Sequence, residues 1–516
     1  MNGMSTPFPV KSALPESLIQ PLDQANQNLL SHVHPPDWSN PVGNGRYDLC
    51  VLGAGTAGLV SAVAAASLGA RVALIEKSLF GGDCLNAGCV PSKALLRSAK
   101  LIGELRNAKA LGVDTDGSTV NFGRIMERMR LRRSDLGQHD SVSRLVNLGV
   151  DVFLGEAEFT GRSTVQVKNQ SLHFRRAIIA TGSRPRIPEI PGLTETRYLT
   201  NKNLFWLTDL PRRLLVLGAG PVGCEMAQAF ARFGSHVTVL DLAEQVLPRE
   251  DRDAAALIQR QLSADGVQFK LNAAIQKVVH HGAEIQVHFQ QSGISKEACG
   301  DQFLIAGGRE PNIESLNLKV AGVVHGESGV VVNDQLRTTN RRIYAAGDVC
   351  STFRFTHVAD AMARVAIQNA LFYGRKKVST LVIPWCTYTD PEIAHVGLNS
   401  EEASARGHRV ESLTVPLAEV DRAVLDEMTD GFVRVHHECG RLLGCTIVAT
   451  HANEMIGEAT YAISQHGTLS DISNTIHPYP TQIEALRKAG DAYRRSLITP
   501  RLKRWLRRYF VWSRRW

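Results

Sequence analysis

Val-Leu-Gly-Ala-Gly occurs twice in this chain, at residues 51–55 and 216–220, and each copy opens the same succession of elements. In the first, the apolar run 48–52 leads to Gly53-Ala-Gly55-Thr-Ala-Gly58. A small-residue helix is predicted over 59–68, and a strand over 71–75 ends in Glu76. In the second, a strand over 214–217 leads to Gly218-Ala-Gly220-Pro-Val-Gly223, a helix over 224–233, and a strand over 236–240 ending in Asp241. The first glycine and the acid are 23 residues apart in both copies, 53 to 76 and 218 to 241. The first glycine permits a tight turn, the second lets backbone approach a pyrophosphate, and the third lets helix and strand pack closely. The acid can bond a ribose hydroxyl. Shared pentapeptide, spacing and context together predict an α/β chain with two Rossmann-like units, each binding a dinucleotide.

Beside the first unit lies GGDCLNAGCVPSK, residues 81–93, in which four residues separate Cys84 from Cys89. Pro91 suits the first turn of a helix, and residues 93–100 continue as one. Cys89 is therefore expected near a helix N-terminus, where the dipole and free N–H groups favour a thiolate. A structural disulfide, a zinc half-site or two unrelated thiols are the other readings. The first lacks a secretion signal to go with it. Zinc would want tighter pairs and a second pair, so no resident metal is expected. Redox chemistry fits better. Two nucleotide sites and a dithiol suggest an electron path from NADH or NADPH through a flavin to the cysteines.

The net charge of +8 does not indicate nucleic acid. Residues 494–516 hold nine Arg or Lys and no acid, and without them 49 basic residues face 50 acidic ones. No apolar run approaches the ~18 residues of a membrane span. The N-terminus carries no signal pattern, and a cytoplasmic location is the expectation.

Residues 1–46 read as an extension with one helix around 16–32. A strand over 177–180 ends in Thr181-Gly182, and a proline-rich connection follows over 184–192. A later strand, 342–346, ends in Gly347-Asp348, where a carboxylate suits a hydroxyl-rich ligand. The second unit, 186–305, thus reads as inserted within the first, 47–185 and 306–377. Residues 378–493 alternate in an antiparallel manner and form an α+β domain. Strands are predicted there over 387–396, 432–436 and 442–449, and helices over 452–465 and 482–489.

GGDCLNAGCVPSK, the two VLGAG units, ATGSRP, AGGREPN, AAGDV and YTDPEIAHVGL together resemble the flavin-dependent pyridine nucleotide–disulfide oxidoreductases. That family includes dihydrolipoyl dehydrogenase, glutathione reductase and mercuric reductase, and the resemblance covers about residues 47–493. It implies FAD, NAD(P)H and a homodimer whose C-terminal domain completes the partner's active site. It makes Cys89 the thiol against the flavin and Cys84 the thiol that meets substrate. Lys93 and Glu225 become a pair near the flavin's hydride-accepting nitrogen, although alone they would read as ordinary helix residues. Asp348 falls by the flavin's ribitol. Gly82, Asp83, Thr181, Gly182 and Gly308 join the cofactor contacts.

Disulfide reductases of this family carry His-Pro-Thr-x-x-Glu near the C-terminus, the histidine serving as acid–base. Here the register Pro480-Thr481-x-x-Glu484 places Tyr479 at that position, and His477 lies two residues away. Tyrosine, with a pKa of about 10, shuttles thiol protons poorly. Tyrosine there resembles mercuric reductases. Those proteins end in a vicinal cysteine pair, whereas no cysteine follows Cys445 in this sequence. The expectation is an FAD-dependent, mercuric reductase-like NAD(P)H oxidoreductase with a Cys84–Cys89 redox disulfide, passing electrons to a metal ion or another acceptor. The alternatives are a dihydrolipoyl dehydrogenase-like disulfide reductase and a membrane-tethered donor to a protein partner. Asp241 would repel a 2′-phosphate, which favours NADH over NADPH.

In the tail, Thr499-Pro500 can start a helix. At about 100° per residue, Leu502, Trp505, Leu506, Tyr509, Phe510, Trp512 and Trp516 share one half. The basic residues take the other half, with Val511 the exception. Such a helix reads as a contact with a membrane surface, making the protein peripheral at the inner membrane.

Overall fold

The computed structural model describes residues 18–115, 119–282 and 284–515. Strand Arg46–Leu52 is buried on both faces, with Leu49 and Val51 in one core and Cys50 and Leu52 in another. A continuous apolar run of this kind belongs in the middle of a parallel sheet. It pairs in parallel with Val72–Glu76 on one side, with Val150–Leu154 beyond, and with Gln170–Ile179 on the other. Thr164–Val167 and Ala157–Gly161 extend the sheet in antiparallel fashion. Helix Thr56–Ser67, rich in alanine, lies close on this sheet and buries Ala57, Ala62 and Ala65.

A second, four-stranded parallel sheet has the order Val267–Lys270, His236–Leu240, Arg213–Leu217, Gln302–Ile305. Only afterwards does Ile343–Ala345 return to the first sheet, in parallel beside Gln170–Ile179. The second glycine turn therefore lies on an excursion from the first unit.

The C-terminal part has a five-stranded antiparallel sheet in the order Pro384–Thr387, Glu392–Gly397, Arg441–Ala449, Phe432–Glu438, Glu411–Pro416. The single strand expected over 387–396 is instead two strands joined by a turn. Pro391 has no N–H for a ladder, and the Asp390 N–H and carbonyl bond the Gln228 side chain at 2.8 and 2.7 Å. The helix expected over 482–489 begins at Glu484 and runs on to Ser496, with Arg494 and Arg495 in its last turn.

The N-terminal helix is shorter than expected, Gln24–Val33; residues 16 and 17 of that expectation lie outside the described residues. Asp23 caps it, accepting from the Asn26 N–H at 2.9 Å. Leu29, Leu30 and Val33 join the core that contains Phe80 and Leu85 of the cysteine stretch. Arg133, 1% exposed, donates to both the Asn26 side chain and the Asn86 carbonyl at 2.7 Å. The extension thus braces the segment that carries Cys84. At the other end, Pro500–Ser513 is helical and buries none of its residues; Trp516 lies outside the described residues. Among those residues no helix is long and apolar enough to cross a membrane.

Candidate active site

The two glycine turns match each other at their first and third glycines. Gly53 and Gly218 sit at φ +102° and +108°, and a Cβ on either would strike a carbonyl, Ala180 O at 2.4 Å or Ala306 O at 2.7 Å. On Gly58 or Gly223 a Cβ would meet the carbonyl of the first glycine at 1.8 or 1.9 Å. The middle glycines differ. The nearest atom to a Cβ on Gly55 is Gly82 Cα at 3.8 Å, and Gly220 has nothing within 4 Å. Each turn is closed where strand and helix meet, and open above the helix N-terminus, where N–H groups and dipole favour phosphate. This cradle fits a dinucleotide at both places.

Both acids are wired alike as well. Glu76 accepts from the Ala54 N–H at 2.6 Å and the Ser78 N–H at 2.8 Å. Asp241 accepts from the Ala219 N–H at 2.5 Å and the Ala243 N–H at 2.7 Å. Each carboxylate so held keeps lone pairs for ribose hydroxyls. Burial pushes the Glu76 carboxyl up, against the pull of its two backbone donors.

Gly82, at φ +56°, packs on the first turn so tightly that a Cβ would lie 2.7 Å from Gly55 Cα. That contact brings the cysteine stretch onto the first nucleotide cradle. Cys84 lies in the short helix Gly82–Asn86, and Cys89 is the first residue of the helix Cys89–Asn107. The Cys89 sulfur is 3.2 Å from the hydroxyl of Thr356, itself the first residue of the helix Thr356–Leu371. Two helix N-termini therefore meet at one sulfur. A hydrogen bond from the Cys84 thiol pulls the Cys89 pKa well down, helped by Thr356 and Lys93 and opposed by burial. The same bond, with burial, pushes Cys84 up. The thiolate belongs on Cys89 and the proton on Cys84.

One turn along, Lys93 Nζ donates to Glu225 Oε2 at 2.9 Å. Glu225 stands on the helix Pro221–Phe233 that follows the second glycine turn. Its other oxygen accepts from the Tyr388 N–H at 3.0 Å, and the ammonium rests 4.2 Å from the centre of the Tyr388 ring. The pair joins both nucleotide units and the C-terminal part at one point.

Asp348 accepts from the Ser183 hydroxyl at 2.6 Å and lies 3.8 Å from Arg309 Nε. Arg309 reaches across to Asp83, which Asn201 also contacts at 3.3 Å. Asp83 therefore clamps the cysteine stretch to the segment after Gly308 (φ +129°). Thr181 and Asn312 exchange bonds of 2.7 and 2.8 Å beside Gly182. Thr356, Tyr388, Arg309 and Ser183 escaped the sequence reading. Arg309, Tyr388 and Ser183 stand inside motifs quoted for the resemblance, whereas no motif marks Thr356.

Tyr479 is well exposed, and its hydroxyl donates to Asp421 at 2.9 Å. That bond and the Asp421 charge push the phenol pKa up. Glu484 is buried and pairs with Arg487 at 2.5 Å rather than with Tyr479. The His477 side chain is 5% exposed and engaged at both nitrogens, Nε2 with Glu458 at 2.9 Å and Nδ1 with the Thr475 carbonyl at 3.0 Å. Among the described residues no contact within the chain joins Tyr479, Glu484 or His477 to the cysteines. No group of three or more His, Cys, Asp or Glu among them could hold a metal ion.

A family model described as pyridine nucleotide-disulphide oxidoreductase matches residues 47–363, and that family's dimerisation domain matches 383–490. The mercuric reductase of Staphylococcus aureus is 34% identical over 481 residues, covering 91% of this chain and 88% of that protein. The dihydrolipoyl dehydrogenase of Bacillus subtilis is 33% identical over 464 residues, covering 86% and 97%. A solved structure of the HOCl-induced flavoprotein disulfide reductase RclA from Escherichia coli superposes with TM-score 0.78 at 31% identity. It covers 86% of this chain and 99% of that one. A Cu(II) complex of that protein matches equally, TM-score 0.78 at 30% identity, over 87% and 100%.

Proposed function

The chain belongs to the pyridine nucleotide–disulphide oxidoreductases, and we propose that within this family it spends NADH on a metal ion or other non-disulfide acceptor. The family uses FAD and NAD(P)H, so the chain is an FAD-dependent NAD(P)H oxidoreductase. Its dimerisation domain makes it a homodimer. Bound FAD supplies the relay between nicotinamide and sulfur, accepting hydride and passing on an electron pair. In this reading Gly53, Gly55, Gly58 and Glu76 hold it, with Thr181, Gly182 and Asp348 further along. Gly218, Gly220, Gly223 and Asp241 hold the nicotinamide nucleotide. Both carboxylate contacts of Asp241 are backbone N–H groups, and the uncompensated acid favours a free 2′-hydroxyl.

Lys93 keeps a positive charge beside Cys89, so negative charge arriving there is stabilised. Two electrons and one proton open a Cys84–Cys89 disulfide to one thiolate and one thiol. Cys89 rests as the thiolate, and Cys84 keeps the proton until an acceptor displaces it. A soft ion asks for thiolate ligands and no proton donor. A disulfide substrate asks for a group that returns a proton to a leaving thiolate.

The observation that carries this reading is Tyr479, which stands where the family's disulfide reductases place histidine and whose hydroxyl donates a hydrogen bond to Asp421. The raised phenol pKa keeps it from acting as a base near neutrality. The mercuric reductases among the relatives and the Cu(II) complex of the E. coli structure support the same direction. NADH oxidation measured with Hg(II), Cu(II), lipoamide and glutathione disulfide tests it. Ion-dependent turnover above that with either disulfide is expected; rapid turnover of lipoamide or glutathione disulfide overturns it.

A further inference from the structure

The helix Pro500–Ser513 stands outside the dimerisation domain, which ends at residue 490, and buries no residue of its own. It is nevertheless well built. The Thr499 hydroxyl caps it, accepting from the Leu502 N–H at 3.3 Å, and Pro500 occupies its first turn. Trp505 stacks on Tyr509 with centroids 5.9 Å apart, and Trp512 lies 6.2 Å from the same ring. This aromatic ridge faces solvent, with Trp505 61% and Trp512 59% exposed. Along the opposite arc run Arg501, Lys503, Arg504, Arg507, Arg508, Arg514 and Arg515. Among the described residues none of these seven cations is in an ion pair.

Surface apolar groups of this size are rarely left bare without a partner. We propose that this helix docks the homodimer on an anionic lipid bilayer, its aromatic ridge sunk among the acyl chains and its basic arc against the headgroups. Length and charge argue for lying on the surface. Fourteen residues rise about 21 Å, short of the ~30 Å hydrocarbon core. A second copy of the helix is a poor occupant, since two such tails repel through all their cations. A nucleic acid would satisfy the basic arc and leave the ridge in water. The nearly neutral body adds no long-range pull of its own, so attraction to the bilayer resides in the tail. The dimer presents two tails, and paired weak anchors hold where one alone is marginal. The inference is independent of which acceptor the dithiol serves.

The holoenzyme dimer is sedimented with vesicles of phosphatidylcholine alone or mixed with phosphatidylglycerol, at low and high salt. Binding is expected with the anionic vesicles only, and it weakens as salt shortens the screening length. Deletion of 499–516 abolishes it. Trp505→Ala with Trp512→Ala, and separately Arg504→Gln with Arg507→Gln and Arg508→Gln, each lower it roughly tenfold or more. NADH oxidation and gel-filtration volume stay unchanged in all three variants. The proposal is overturned if the full chain ignores anionic vesicles, or if the aromatic pair can be removed without loss. Tail-dependent binding to duplex DNA alone, or a change of oligomeric state on deletion, would also overturn it.

Discussion

Lys93 and Glu225 meet at 2.9 Å across the boundary between the cysteine helix and the helix of the second glycine turn. Glu225 is 6% exposed in its side chain and Lys93 36%, so the pair lies between a surface contact and a buried one. Lys93→Met strands the carboxylate with only the Tyr388 N–H for company. The expected loss is about 2 kcal/mol, above that of an exposed pair and below that of a fully buried one broken on one side. Glu225→Gln keeps an acceptor for Tyr388 and loses less. Thermal denaturation of the holoenzyme measures both, and a Lys93→Met protein as stable as its parent would deny the pair its role as a joint.

Cys84 is the main cause of the low Cys89 pKa, ahead of Thr356 and Lys93. In the reduced enzyme, Cys84→Ala should therefore move the thiolate absorbance of Cys89 to higher pH. Thr356→Val should move it the same way by less. Below the ordinary thiol range the parent keeps a thiolate and the variants lose it progressively. If Thr356→Val gives the larger displacement, the helix N-termini and hydroxyl, rather than the neighbouring thiol, hold the charge.

Much of this site could be read in the chain. The glycines and acids of the two turns announce themselves because backbone clearance and carboxylate reach are local demands, repeated at fixed spacing. Cys89 at a helix N-terminus followed from Pro91 for the same reason. Thr356 did not, because its closeness to Cys89 is made by a helix 267 residues away. Arg309 on Asp83 and Tyr388 on Glu225 likewise join segments that only the packed sheets bring together. The split of 387–396 was missed because an alternating pattern does not show that Gln228 has taken the backbone groups of Asp390. The brace of Arg133 on Asn26 was hidden because the extension carries no motif and its partner lies 107 residues away.

Glu250 accepts from the Trp385 indole at 2.7 Å, and burial raises its pKa from 4.5 to about 7. Glu392, bonded to the Asn453 N–H at 2.9 Å, is raised to about 7 by the same cause. The folded state holds these protons more tightly than the unfolded chain, so stability is fullest below about pH 4.5 as far as these two groups decide it. It declines as pH rises through about 7. Glu250→Gln retains an acceptor for Trp385 and removes the charge. Its Tm should match the parent's at pH 4 and exceed it at pH 8, by an amount corresponding to about 1–3 kcal/mol. An equal Tm difference at both pH values would place the titration elsewhere.

His477 and Tyr479 separate the two acceptor classes. If a thiol proton had to be shuttled, His477 would be the candidate, yet both its nitrogens are held by Glu458 and the Thr475 carbonyl. Replacing it by alanine should lower Tm, since Glu458 loses its partner, and leave metal-ion turnover as it was. Tyr479→Phe removes one hydroxyl from an exposed ring. In the proposed reading the phenol assists the metal–thiolate complex through one hydrogen bond, so kcat/KM with the metal ion should fall about tenfold, with NADH consumption in the first half-reaction unaffected. Asp421 raises the phenol pKa, so the parent's rate should carry no tyrosine ionisation through neutral pH. Asp421→Ala takes away both the bond and the charge and should bring the ionisation down towards the ordinary value for tyrosine, about 10. The opposite pattern is equally clear. Lipoamide turnover that collapses in His477→Ala and survives in Tyr479→Phe would assign the dithiol to disulfide reduction, with His477 released from Glu458 to carry the proton.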